Sequence, residues 1–330
     1  MTASVRWLRQ AAPQLILLIL VLAADRWVSP GFLDLTVKDG RLFGSLVDVL
    51  NRGAPVALLA LGMSLVIATR GVDLSVGAVM AIAGAVAAVT VQAGHPWILA
   101  LGLALSAGLV CGLWNGFLIA VLDIQPIVAT LILMVAGRGA AQLVTHGRIV
   151  TFVEPQLVAI GGGSWLGLPV PVLIMIAAAG LVLLLARRTT LGLFVESIGV
   201  NPRSSRLAGV PSRAVIFTVY GLCGLMAALA GVIVAADIRG ADANNAGLWL
   251  ELDAILAVVI GGGSLLGGRF SLSLAVVGAL ALQALKTGIL LSGFRPEFNL
   301  VVMAAVVALT LVLQSPAASQ LMARLRRRPA

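Results

Sequence analysis

Six polar side chains lie inside long apolar stretches of the sequence, where an unpaired polar group costs free energy. Amide, hydroxyl and charged groups can form weak, transient hydrogen bonds with a polar solute that crosses a membrane. We therefore predict that a translocation pathway is lined by residues of this set, which are Asn115, Thr130, Arg138, Gln142, Gln283 and Lys286. Asp73, at the start of an apolar run, is a further candidate. For Arg138 and Lys286 the alternative is a long side chain that extends to the outer membrane surface.

A second informative stretch is the basic segment 187–213, which separates two apolar runs. Asn201 is a favoured N-cap and Pro202 suits the first helical position, so residues 203–208 are predicted to form a short helix that Gly209 ends. A helix of two turns is unstable alone and must pack against something. It is either a basic helix at the lipid headgroups or a coupling helix that fits a groove of a motor subunit.

The chain lacks the residues that several kinds of chemistry would require. The chain has only two lysines, Lys38 and Lys286, and no Gly-x-x-x-x-Gly-Lys-Ser/Thr sequence, so it cannot hold ATP phosphates as a P-loop does. His95 and His146 fall in predicted outer loops, and neither has a second histidine at helical spacing for a metal pair. We expect no cofactor or metal in this chain. The acids lie mostly in loops or at span ends, which disfavours an ion-coupled carrier and a membrane enzyme.

The elements that hold these residues must be membrane helices. Of the 330 residues, 60% are hydrophobic and only 11% are charged, and the mean hydropathy is +1.10. A soluble fold needs roughly a quarter charged residues, and the long apolar runs do not alternate as barrel strands do. The net charge of +9 resides in loops between these runs, so it indicates no nucleic-acid partner. We predict an all-α, polytopic membrane protein with one domain, 1–330.

Ten apolar runs are predicted as spans, including the first, which could otherwise pass for a signal peptide. They are residues 11–24, 47–69, 76–93, 97–122, 126–144, 170–186, 214–236, 252–260 with its glycine tail, 272–291 and 300–314. If both termini are cytoplasmic, thirteen basic residues fall inside and eight outside, which agrees with the positive-inside rule.

Three glycine patterns have structural explanations. Gly108, Gly112 and Gly116 form a small-residue stripe that favours close helix packing. Residues 261–268 contain five glycines but no basic residue of a phosphate loop, and they predict a sharp turn and close helix approach. In residues 71–77, Asp73 either caps the helix that begins near residue 76, contacts the solute or forms part of a gate.

Three of these stretches together resemble one family. Residues 71–77 read Gly-Val-Asp-Leu-Ser-Val-Gly, residues 257–268 are glycine-rich after an apolar run, and Gly199-x-Asn201 is followed by Ala208-Gly209. In this order they resemble permeases of ribose-type ABC sugar importers, over residues from about 45 to 315. Residues 242–245 and 248–253 resemble the galactofuranose branch of that family, which imports a monosaccharide.

The resemblance implies a bacterial inner-membrane complex. Two permease subunits, identical or paralogous, would sit on a cytoplasmic ATPase that binds ATP and magnesium, and a periplasmic sugar-binding protein would deliver the substrate. The ATPase would dock on the cytoplasmic loop, for which the candidate residues are Glu196, Gly199, Asn201, Arg203, Arg206, Ala208 and Gly209. The alternatives are a self-contained or ion-coupled carrier or channel, and a membrane enzyme that acts on lipid-linked sugar.

Overall fold

The structure, a computed structural model, describes residues 3–38, 40–293 and the positions 298, 301, 302, 304, 305 and 308. The main chain of this part is dominated by helices, which are α1 (Ala3–Val28), α2 (Ser45–Ala68), α3 (Val76–Gln92), α4 (Trp97–Ala120), α5 (Pro126–Val144), α6 (Pro155–Gly162), α7 (Val170–Arg188), α8 (Leu191–Val200), α9 (Pro202–Leu207), α10 (Ser212–Asp237), α11 (Leu250–Ile260) and α12 (Leu272–Leu291). The strands are β1 (Thr36–Lys38), β2 (Arg41–Phe43), β3 (Val150–Thr151), β4 (Ser164–Trp165), β5 (Leu168–Pro169) and β6 (Gly240–Ala241), which form three two-stranded antiparallel pairs, β1–β2, β3–β6 and β4–β5.

Within the described residues, seven helices are long and apolar enough to cross a membrane, which confirms a polytopic helical membrane protein. They are α2, α4, α5, α7, α10, α12 and residues 11–28 of α1. The predicted spans 76–93 and 252–260 form shorter helices, because α3 has 17 residues and α11 has only 11. The predicted span 300–314 lies outside the described residues apart from isolated positions. The total of ten therefore stays a prediction.

The centre of the bundle is formed by α2, α3, α4 and α10. Every residue of α2 from Gly53 to Ala68 is buried. The predicted glycine stripe of α4 packs directly on α10: Gly112 lies against the carbonyl of Tyr220, and Gly108 lies against Gly224. A Cβ at either glycine would collide with backbone atoms, so only glycine permits this separation of the two helices. The packing interpretation of the stripe is confirmed.

The predicted short helix is present as α9. The Asn201 side chain accepts hydrogen bonds from the backbone N–H groups of Arg203 and Ser204 at 3.1 and 3.0 Å, as an N-cap does. Gly209 follows the helix with φ +83°, the left-handed conformation of a helix C-terminus. The sequence did not predict α8, whose apolar side packs on α7 and α2 immediately before α9.

The chain between α10 and α11 is irregular apart from the short strand β6. β6 pairs with β3, which follows the C-terminal end of α5, and Gly247 then lies against Gly77 in the first turn of α3. Residues 242–249, the re-entrant segment, thus lie beside the N-terminal half of α3, where Asp242 and Ala246 share a small cavity with Met80 and Gly84. Since residues 76–93 are predicted to lie in the membrane, the irregular backbone beside them is predicted to lie there too.

Candidate functional site

The re-entrant segment is held by two polar side chains of α5. The Arg138 guanidinium donates to the carbonyl oxygens of Ala243, at 3.1 Å, and of Ala246. One turn further along α5, the Gln142 amide donates to Asn244 Oδ1 at 2.8 Å. The Arg138 bonds satisfy backbone carbonyl groups that a helix would pair internally, which is a requirement for irregular backbone at membrane depth.

Asp242 orders the beginning of the same segment. Its carboxylate accepts from the backbone N–H groups of Asn244 and Asn245 at 3.1 and 3.2 Å, and from the Asn245 amide at 2.7 Å. These three bonds hold the turn with which the re-entrant segment begins.

One side of the re-entrant segment is open. Asn244, Asn245 and Leu248 are exposed, and Trp249 has 67% of its surface accessible. Trp249 also has φ +66°, which a bulky residue rarely adopts, at the position where α11 begins. Polar groups at this depth must face water or protein, because lipid offers no hydrogen bonds. The open side is therefore the surface on which a polar path could run.

Asp73, Asn115 and Thr130 lie in a different place, inside the protein. Asp73 Oδ1 accepts from the backbone N–H of Ser75 at 2.9 Å and from its hydroxyl at 2.6 Å. The Asn115 amide donates to Ser75 Oγ at 2.9 Å, and the Thr130 hydroxyl lies 3.3 Å from the carbonyl oxygen of Val72. Asn115 and Thr130 are both 0% exposed. This cluster ties the α2–α3 turn to α4 and α5 and does not line an open surface.

The two remaining pathway candidates lie on α12. Lys286 forms an ion pair with the buried carboxylate of Asp253 on α11, so a charged pair lies within the bundle where the sequence showed no carboxylate relay. Gln283 lies one turn earlier, where its side chain contacts Gly53 of α2 and its amide lies 3.5 Å from the Thr287 hydroxyl. The structure thus divides the seven candidates among the re-entrant segment, the buried turn and the α11–α12 contact.

The loop 187–213 presents α9 to the surface. Arg203 and Arg206 are exposed, and Leu207 has 85% of its surface accessible. Ala208 and Gly209 continue this exposed edge. A cavity of about 800 Å³ opens beside α9 and is lined by Arg206, Arg213, Asp123 and apolar residues of the α4–α5 turn.

Two of the predicted docking residues are less accessible. Gly199 is buried at the end of α8 and cannot touch a partner directly. Glu196 is half-buried in a second cavity, of about 330 Å³, which Arg187 also lines. The candidate site residues predicted from the sequence did not include Asp242, Asn244 and Asn245. Their signal was a run of polar residues between two apolar helices.

Taken together, these elements define a multi-pass membrane protein with polar groups at the re-entrant segment, at the buried α2–α3 turn, at the α11–α12 contact and on the exposed helix α9. The chain belongs to the family described as branched-chain amino acid transport system / permease component, which matches residues 45–311. No solved structure matches the chain significantly.

Curated relatives extend over most of the chain. It is 62% identical to the galactofuranose transporter permease YtfT of Escherichia coli K12, over 92% of this chain and 89% of that protein. It is 40% identical to the fructose import permease of Bifidobacterium longum, over 88% and 83%. It is 36% identical to the ribose import permease of Escherichia coli K12, over 94% of each chain.

Proposed function

We propose that this chain is the permease subunit of an ATP-driven importer in the bacterial inner membrane. Its substrate is a monosaccharide, galactofuranose or a related sugar, which moves from the periplasm to the cytoplasm. The similarity to permeases of galactofuranose, fructose and ribose supports this substrate class. The chain has no ATPase site of its own, and ATP and magnesium bind to a separate subunit.

The observation that supports the function best is the open side of the re-entrant segment. Asn244, Asn245 and the side chains that support them offer amide, guanidinium and carboxylate groups, which suit the hydroxyl groups of a sugar. An exposed polar segment at membrane depth needs a cover that excludes lipid. A second permease subunit, identical or paralogous, supplies that cover and the opposite wall of the path, with Leu248 and Trp249 at the contact.

The proposed topology has ten spans with both termini in the cytoplasm. It is supported by the basic residues around α8 and α9, where Arg187, Arg188, Arg203, Arg206 and Arg213 are exposed within one loop region. An excess of arginine in short loops marks the cytoplasmic side. The outer side then carries the β1–β2 pair, α6 and the β3–β6 pair, to which the periplasmic sugar-binding protein docks.

The ATPase docks on α9. The exposed edge formed by Arg203, Arg206 and Leu207 fits a groove of the ATPase, while the Asn201 cap and Gly209 set the ends of the helix. Glu196 contributes from the cavity beside α8. Ala208 stays small so that the partner can approach the helix end.

Reconstitution of the complex tests this function directly. Proteoliposomes that contain this chain, its ATPase, the second permease and the binding protein should accumulate labelled galactofuranose only when ATP and magnesium are present on the cytoplasmic side. Labelled ribose and fructose serve as competing substrates. Uptake that persists without nucleotide, or an absence of uptake for every one of these sugars, would exclude the proposal.

The Lys286–Asp253 pair favours one other function, a self-contained ion-coupled carrier, because charged residues inside membrane bundles often serve ion transport. Liposomes that contain this chain alone separate the two functions. Sugar uptake driven by a proton or sodium gradient without any other subunit would establish the carrier. We expect none, since the pair is satisfied internally and joins two helices.

A further inference from the structure

Three chain segments meet where α8 ends, one residue before α9 begins. The Ala68 carbonyl oxygen at the end of α2 accepts from the Gly268 N–H at 2.9 Å. Gly199 packs so closely on this bond that an added Cβ would collide with both the Ala68 carbonyl and the Gly268 backbone. The end of α2, the end of α8 and the glycine loop between α11 and α12 therefore form one compact contact, which we call the junction.

Arg70 closes the junction. Its Nε donates to the carbonyl oxygen of Gly199 and its Nη2 to that of Val200, both at 2.7 Å. These are the last two carbonyls of α8, which lack partners within their own helix. The Arg70 backbone has φ +66°, a conformation that is uncommon for a residue other than glycine. A planar guanidinium can satisfy both carbonyls at once, which an ammonium cannot.

From Arg70 the chain leads directly into the buried cluster. Residues 69–75 form the turn whose Asp73 and Ser75 bond to each other and to Asn115 of α4. The Thr130 hydroxyl beside the Val72 carbonyl joins the same turn to α5. Two turns further along α5, Arg138 holds the re-entrant segment. The end of α8, one residue before α9, is thus connected with the open polar surface through the bonds of Arg70, the α2–α3 turn and two turns of α5.

We propose that Arg70 is a positioning residue that transmits movement of the docking helix α9 to the α2–α3 turn and through it to the translocation path. The proposal rests on the docking function given to α9 above. When the ATPase displaces α9, the end of α8 moves with it, because a single residue separates the two helices. The two hydrogen bonds of Arg70 make the α2–α3 turn follow.

The test replaces Arg70 in the full complex. Arg70→Gln should leave subunit co-purification and basal ATP hydrolysis at the level of the wild type. The number of sugars imported per ATP should fall by about tenfold, in the range of typical coupling between sites. Arg70→Lys, which keeps the charge but offers one point donor, should give an intermediate ratio. The matched control is Arg188→Gln, since Arg188 is an exposed arginine at the end of α7 on the same face.

A second pair of variants moves Arg70 without removing it. A Cβ on Gly267 would lie 2.5 Å from Arg70 Cγ, so Gly267→Ala should displace the side chain and lower the same ratio. Gly94→Ala is its control, because Gly94 has nearly the same φ, +82° against +84°, and has nothing within 4 Å of an added Cβ. The backbone strain is thus matched, and the two sites differ in the contacts with Arg70 and with the Gly199 and Ala68 carbonyl oxygens of the same junction, at 3.1 and 3.2 Å.

The outcomes separate this inference from the proposed function. If the wild-type complex shows no ATP-driven uptake, the proposed function fails. If the wild type imports sugar and Arg70→Gln keeps its import per ATP, the role of Arg70 is excluded. If the complex with Arg70→Gln does not assemble, Gly267→Ala decides the question. An assembled Gly267→Ala complex that imports fewer sugars per ATP supports the proposal. An unchanged number of sugars per ATP, or failed assembly of this variant as well, overturns it.

Discussion

The ammonium group of Lys286 on α12 pairs with the carboxylate of Asp253 on α11, and this contact fixes the position of a helix that is too short to cross a membrane. α11 begins after the re-entrant segment and ends at the glycine loop, so neither neighbour in sequence is a regular span. The ion pair, together with the close approach of Gly278 to the Ala257 carbonyl, holds α11 on α12. The open polar surface depends on this support.

Removal of one partner of the pair should destabilise the protein. Lys286→Met leaves the buried Asp253 carboxylate unpaired, and breaking a buried pair costs about 3–5 kcal/mol, of which we expect the lower end because Lys286 is partly exposed. The melting temperature in detergent should fall clearly. The double variant Lys286→Met, Asp253→Leu should recover most of the loss, because it leaves no unpaired charge. A double variant as unstable as the single one would contradict this account.

The helical membrane class could be predicted because apolar runs of span length are explicit in the sequence. The α9 helix could also be predicted, because an Asn-Pro start and a glycine end encode its caps locally. The α8 helix and the shortness of α11 could not be predicted, because both depend on packing against other segments. An apolar run of ten residues predicts burial but does not fix whether the run crosses a membrane or lies beside it.

The candidate site was predicted in part for a similar physical reason. Arg138 and Gln142 stood out as polar residues in an apolar helix, and the structure gives both a common partner. That partner, the re-entrant segment, looked like an ordinary loop in the sequence because its position along α3 arises from tertiary contacts. Asn115 looked the same as Gln142 by composition, although one is enclosed and the other is not.

The open side of the re-entrant segment should be accessible to water. We expect Asn244→Cys to react with a small, charged, membrane-impermeant thiol reagent in the assembled complex, and galactofuranose should slow the reaction. Leu20→Cys on the exposed side of α1 is the control that should stay unreactive, because this apolar side faces lipid. Both variants are made in a background without Cys111 and Cys223. Equal reactivity of the two sites would argue against a path along residues 242–249.

Arg138 should be required for the shape of the re-entrant segment. Arg138→Ala removes the donors to Ala243 and Ala246, and each carbonyl left unpaired costs about 1–3 kcal/mol. We expect sugar uptake to be lost while the complex still assembles. Limited proteolysis should then cut within residues 242–249, where the wild type is protected. Val135→Ala, three residues earlier on an exposed position of α5, is the control and should keep uptake.

Altering the docking helix α9 should uncouple sugar uptake from ATP hydrolysis. The double variant Arg203→Glu, Gly209→Trp reverses a charge and blocks the left-handed turn after α9, where φ is +83°. We expect sugar uptake to fall to background while the chain still reaches the membrane. Arg188→Glu is the charge-matched control and should transport normally. Normal uptake by the double variant, or labelling of Asn201→Cys from the periplasmic side, would exclude docking at this helix.

Two asparagines allow a direct comparison between a buried role and a pathway role. Asn115 is enclosed, and its amide donates to Ser75, so Asn115→Leu should lower the free energy of unfolding by about 1–3 kcal/mol. Since no sugar can touch a side chain that is 0% exposed, the apparent KM for uptake should stay unchanged. Asn244→Ala should do the opposite, because its side chain is exposed: the KM should rise and the melting temperature should hold. An altered KM for Asn115→Leu at unchanged stability would place Asn115 in the path and show that the cluster around Asp73 opens during transport.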